Sequence, residues 1–195
     1  MAQVLANKGA PVFDLRTDPP LKELQFKLSR FSEGISDFAP MFLRIGAVFR
    51  AQEKEQFKSE GALGAGRWAP LSPDYKAWKA RKYPGRKIGV LTGALQRSMT
   101  GGAGYSQRVT RTNASFGLDP SSKADPYARY FAGGTEKMPA RPVIVATALR
   151  GRQMSRTVDV WVREEAHHAG LIGAGSKLYQ QELSGVDYNQ ALSGL

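Results

Sequence analysis

The chain has 195 residues, 42% of them hydrophobic and 23% charged, which excludes a disordered or low-complexity polymer and predicts one folded domain with additional arms at the usual ~100–200 residues per domain. It contains no cysteine, so a disulfide framework, a thiolate nucleophile and a Cys-ligated zinc site are excluded together. With 28 Lys and Arg against 17 Asp and Glu the net charge is +11, a balance suited to nucleic acid or to an acidic protein surface.

Residues 1–20 are punctuated by Gly and Pro and end in Pro19-Pro20, which predicts an extended N-terminal arm. They lack the apolar core of a signal peptide, and no window reaches the ~18 apolar residues of a membrane span, so a soluble protein without a cleaved leader and without membrane contact is expected. From there Leu24, Leu28, Phe31, Ile35, Phe38, Phe42, Ile45 and Phe49 recur at alternating spacings of four and three, the signature of one helical stripe. Gly34 and Pro40 interrupt it, predicting a kink or break between Glu33 and Pro40, with Ser36 capping a second helix to about Ser59. The pair is expected to cover a sheet.

After the loop Gly61 to Gly66, Ser72-Pro73 starts a short helix through Lys82 that Pro84-Gly85 closes. Leu91 to Ser98 predicts another, with Thr92 as a cap. A β-hairpin is expected with its turn near Gly101 to Gln107 and a strand from Arg108 to Leu118. Pro126 to Ala132 reads as a helical turn ending at Gly133-Gly134, and Val143 to Leu149 as either a buried strand or the start of the last helix. Ser155 can cap a helix through His168, with Val158, Trp161, Val162 and Ala166 on one face. Residues 169–195 read as an extended C-terminal arm with enough Leu and Tyr to dock on a neighbour.

Between Arg67 and Arg111 ten Lys and Arg face one acid, Asp74, so most of the net charge is local. The candidate DNA- or partner-facing basic surface is Arg67, Lys76, Lys79, Arg81, Lys82, Arg86 and Lys87. Trp68, Tyr75, Trp78 and Tyr83 are interleaved with it, which fits phosphate contact plus stacking; equally, Trp68 and Trp78 fit a core whose outer face the lysines solvate. No helix-turn-helix, zinc finger or RNP-type motif is present, so nucleic-acid binding would be independent of sequence.

Chemistry finds little purchase. His167 and His168 are adjacent, about 100° apart on a helix, and do not share a metal as an i, i+4 pair does. Asp74, Asp119 and Asp125 form no cluster of the kind a metal-dependent nuclease or a glycosidase uses. There is no G-x-S-x-G, and the Gly-rich GALGAG and TGGAG lack the Lys-Ser/Thr of a phosphate loop. A protein without catalytic residues, cofactor or metal is expected.

The order of motifs carries a resemblance. Trp68, Pro70, Leu71, Ser72 and Tyr75, a basic stretch, then Leu91, Thr92, Gly93, Leu95 and Ser98, then Tyr127, Ala128, Gly133 and Gly134, then Pro139, Ala140, Arg141 and Pro142 stand in an order and spacing that resembles the tailed-phage virion morphogenesis proteins of the Mu tail-completion type. These are related to siphophage head-tail joining and neck proteins. The resemblance spans Leu21 to His168; the chain departs from the family at Tyr130-Phe131 and at Val143. It implies a virion protein that forms a homo-oligomeric ring at the head-tail junction, is assembled in the host cytoplasm, and touches connector or adaptor proteins, tail tube or terminator proteins, and packaged DNA.

The sequence therefore predicts an α+β fold. Its expected parts are an N-terminal arm 1–20, a ring-forming domain 21–168 with a small, mostly antiparallel sheet packed on a kinked N-terminal helical region and a C-terminal helix, and a C-terminal arm 169–195. The expected role is structural, in neck or tail completion or tail termination. The alternative is a sequence-independent nucleic-acid-binding protein acting outside the virion.

Overall fold

In a computed structural model, which describes residues 3–5, 12–14, 18–64 and 66–173, the fold is α+β, with six helices and two antiparallel strand pairs among the described residues. β1 (Gln3–Leu5) pairs antiparallel with β2 (Val12–Asp14), so the stretch expected to be an extended arm contains two short paired strands. Of the expected C-terminal arm, residues 174–195 lie outside the described residues. The described chain divides into two compact units, one holding the residues up to Asp37 together with those from Val160 on, the other running from Phe38 to Asp159.

In the first unit, α1 (Leu21–Gly34) follows Pro20 and lies beside the last turns of α6 (Ala148–His168), with Gly34 against the Glu165 side chain and Gly170 near Lys27. No residue of α1 is buried, and Leu21, Phe26 and Leu28 are about half exposed or more. Of the stripe positions here, Leu24, Phe31 and Ile35 are half-buried and Leu28 is exposed, whereas Leu21 and Phe26 lie off the stripe. The backbone leaves the helix at Ile35, whose N–H still reaches Phe31 O, and the Ser36 hydroxyl donates to Glu33 O at 2.7 Å. Ser36 thus closes the last turn of α1, and Phe38 stands at the N-cap position of α2.

The second unit holds the larger core. α2 (Ala39–Lys58) carries Pro40 in its first turn, where a missing N–H breaks no helical bond. Phe49, Phe57, Trp68, Val90, Leu95, Met99, Phe131 and Val143 form the buried cluster. α2 packs on α4 (Ala94–Thr100) and on the hairpin of β3 (Tyr105–Val109) and β4 (Ala114–Leu118). Phe49 lies 6.3 Å from Phe116, while Arg50 Nη1 donates to Gln107 Oε1 at 2.6 Å. Register runs from Tyr105↔Leu118 to Val109↔Ala114.

The turn of this hairpin is at Thr110–Asn113, not at Gly101 to Gln107. Thr110 N–H donates to Asn113 O, and Asn113 N–H returns to Thr110 Oγ1, a side-chain closure that needs no glycine. The glycines instead end α4, where Gly102 N–H reaches back to Arg97 O at 2.8 Å. α3 (Pro73–Lys82) and α5 (Asp125–Gly133) start on proline as expected. Val143 to Thr147 is neither strand nor helix. α6 begins at Ala148, where Thr147 Oγ1 accepts the Arg150 N–H at 3.2 Å, so Thr147 and not Ser155 caps it.

Candidate functional site

Two sequence-distant blocks meet at Trp68. The chain leaves α2, turns through Gly61, and returns so that Trp68 N–H donates to Glu60 O. The indole is 5% exposed and sits edge-on to Phe57 and Phe131, at 5.5 and 5.2 Å. Its Nε1 donates to Pro142 O at 2.9 Å. In return Arg141, 2% exposed, donates from Nε to Ala69 O at 2.9 Å and from Nη2 to Pro70 O at 3.0 Å. Burial pushes the Arg141 guanidinium below its ordinary range, offset in part by Tyr127 and Tyr75. Gly134 completes the join: at φ +78° it lies so near the chain that follows that a Cβ would stand 2.7 Å from Ala140 N.

The remaining motif residues divide by burial. Leu95 and Ser98 are buried, with Ser98 Oγ donating to Leu95 O, and Ala128 packs against the core. Leu71 and Leu91 are half-buried; Pro70, Ser72, Thr92, Tyr127, Gly133, Pro139, Ala140 and Pro142 are exposed. The Trp68 and Arg141 blocks are thus held to each other through backbone carbonyls.

The basic surface is smaller than the sequence implied. Lys79 is 4% exposed and donates to Lys87 O, so it belongs to the interior: its aliphatic stem is covered, and its ammonium satisfies a carbonyl of the 83–88 loop. Burial lowers its pKa from the usual lysine value, with Glu60 acting in the opposite sense. Lys87 is exposed but donates to Lys58 O at the end of α2, where a cation complements the helix C-terminus. Arg67, Lys76, Arg81, Lys82 and Arg86 are exposed.

α3 is built unusually, for Lys79 is its one buried residue. Tyr75 and Trp78, 39% and 36% exposed, stack with ring centroids 5.3 Å apart and planes at 27°. Tyr83 continues the ladder 5.9 Å from Trp78, and Lys82 Nζ sits 5.8 Å from the indole centroid. Beside it opens a groove of ≈ 330 Å³ lined by Leu71 and Ile88 and by Lys76, Tyr83 and Arg86. Of the two tryptophans read as core residues, Trp68 is buried and Trp78 is at the surface.

One buried polar cluster left no trace in the sequence pattern. Glu53, fully buried on α2, pairs with Arg150 of α6 at 2.8 Å. Arg150 Nη2 also meets Gln52 O, and Gln52 Nε2 meets Gln153 Oε1 at 2.7 Å. Glu53 Oε2 has no hydrogen-bond partner among the described residues. With one oxygen dry and unsatisfied, desolvation outweighs Arg150 and raises the carboxyl to about 7.

His167 and His168 have ring centroids 6.2 Å apart on the last turn of α6, and His168 Nδ1 lies 3.9 Å from Glu165. Among the described residues no group of three or more His, Cys, Asp or Glu is placed to hold a metal ion, and no helix is long and apolar enough to cross a membrane. No protein-family model matches the chain, and no curated protein or solved structure matches it either.

Proposed function

We propose that the chain is a structural subunit of a tailed-phage virion, forming a homo-oligomeric ring at the head-tail junction that joins or seals head and tail without turnover of a substrate. The observation that carries this reading is the reciprocal join of Trp68 to Pro142 and of Arg141 to Ala69 and Pro70. The first and last of the motif fragments that resemble the tail-completion proteins are one structural unit, as fragments serving a common scaffold would be. The chain exposes aromatic and cationic side chains on α3 and, in the other unit, apolar ones on α1, surfaces that suit contact with neighbouring subunits and with an acidic connector or DNA.

The test is to purify particles of the phage that encodes the chain and to sediment the isolated protein. The expected result is a fixed number of copies per particle and a sedimenting species several times the 21.3 kDa subunit mass. Infectious particles that lack the chain would refute the role.

A further inference from the structure

We propose that the exposed face of α3 and the groove beside it bind single-stranded nucleic acid, with unpaired bases stacked on the Tyr75–Trp78–Tyr83 ladder and phosphates held by Lys76, Lys82 and Arg86. Three observations converge on this occupant. Tyr75 and Trp78 are exposed and Tyr83 is half-buried, although rings of this size on a short helix ordinarily turn inward, and here a lysine takes the inward position instead. Tyr75 and Trp78 are held stacked as neighbours on one helix, with Tyr83 tilted 60° against Trp78, so the stacking surface of the first two rings is pre-organised before any ligand arrives. Tyr83 also lines the ≈ 330 Å³ groove, so the ladder runs directly into a recess with Lys76 and Arg86 on its wall, of a size within the range of small-ligand sites.

The charge selects a polyanion, and the rings select one that has free π-faces. A duplex hides its bases and offers phosphates alone, and an acidic peptide offers carboxylates without planar rings. A single strand offers both at once. The stacking is indifferent to base order, because every base has a face to stack.

The tryptophans make the test direct, since Trp68 and Trp78 differ in exposure and Trp161 is 1% exposed, leaving Trp78 as the accessible reporter. A short dT oligonucleotide titrated into the full chain at low salt should quench Trp78 emission, with affinity falling steeply as salt rises. Trp78→Ala, followed by the anisotropy of a labelled dT oligonucleotide, should weaken binding roughly tenfold, in line with the loss of one base–aromatic stack, and its melting is measured beside the parent's to show that the fold is kept. Lys76→Glu with Arg86→Glu should flatten the salt slope by about one unit for each phosphate left without its cation. A duplex of equal charge and polyglutamate serve as controls and should leave Trp78 emission unchanged.

Absence of quenching by oligo-dT at low salt would overturn the inference. So would a duplex or polyglutamate that binds as tightly as oligo-dT with Trp78→Ala unaffected, which would make the face a general polyanion or acidic-protein surface. The inference does not rest on the virion role: a ring subunit that ignores oligo-dT defeats only the inference, and a binding protein missing from particles defeats only the role.

Discussion

Arg141 is the residue on which the scaffold most depends. Its guanidinium spans two backbone carbonyls, so Arg141→Ala removes the charged donor from both Ala69 O and Pro70 O and opens a gap beside Phe131. The expected cost is about 3 kcal/mol in denaturant unfolding, and Arg141→Lys should restore only part of it, since a single ammonium cannot reproduce the fork. Glu53 makes a pH prediction of definite sign. Because its carboxyl is raised from 4.5 to about 7, the folded state holds a proton there that the unfolded chain releases. Its contribution is therefore fully present below pH 4.5 and is lost as pH rises through 7. Unfolding free energies of the parent, referred to Glu53→Gln, should fall across that window by roughly 2–3 kcal/mol. A parent and variant that track each other across the window would show an ordinary, ionised Glu53. Neither residue's role is legible in the sequence. Arg141 is visible there only as part of a motif, and Glu53 meets an arginine 97 residues away on a helix whose polar positions look solvated.

At the scale of elements, legibility follows local chemistry. Helices that start on proline and stop near glycine, α3 and α5, can be read within a residue or two, because those signals act on the backbone itself. The break between α1 and α2 is legible for the same reason. Misreadings arise where two local signals compete. Gly101 and Gly102 suit a hairpin turn and a helix end equally, and the helix takes them, leaving Thr110 and Asn113 to close the hairpin through the Thr110 hydroxyl and the backbone. Ser155 and Thr147 both suit a cap. Thr147 prevails because Leu149 and Arg150 belong to the helix, and with them the bond to Glu53. Hence Thr147→Ala should lower stability by about 1 kcal/mol, while Ser155→Ala, at an exposed mid-helix position, should change it by a few tenths at most. Equal losses would mean that the helix starts later than Ala148.

For the whole molecule, composition and motif order indicate an α+β chain with a concentrated basic surface, and the fold class is as expected. What the linear pattern misses is how burial is shared. The stripe, whose break is read between Glu33 and Pro40, is shared between two units, and α1 leaves Leu21, Phe26 and Leu28 about half exposed or more. The positive surface is trimmed by the withdrawal of Lys79 and by the engagement of Lys87 at the end of α2. In the proposed ring, covering the exposed Leu21, Phe26 and Leu28 would remove apolar area from water at roughly 25 cal/mol per Å². Phe26→Asp should therefore weaken self-association in sedimentation while leaving the melting of the monomer near that of the parent. The central claim, a ring subunit at the head-tail junction, is tested most directly by an electron-microscopic reconstruction of the neck of the virion. A closed ring of this chain is expected between head and tail, with the unit Phe38–Asp159 fitting each repeat of the density as a rigid body. A junction whose density is fully accounted for by other proteins would contradict it.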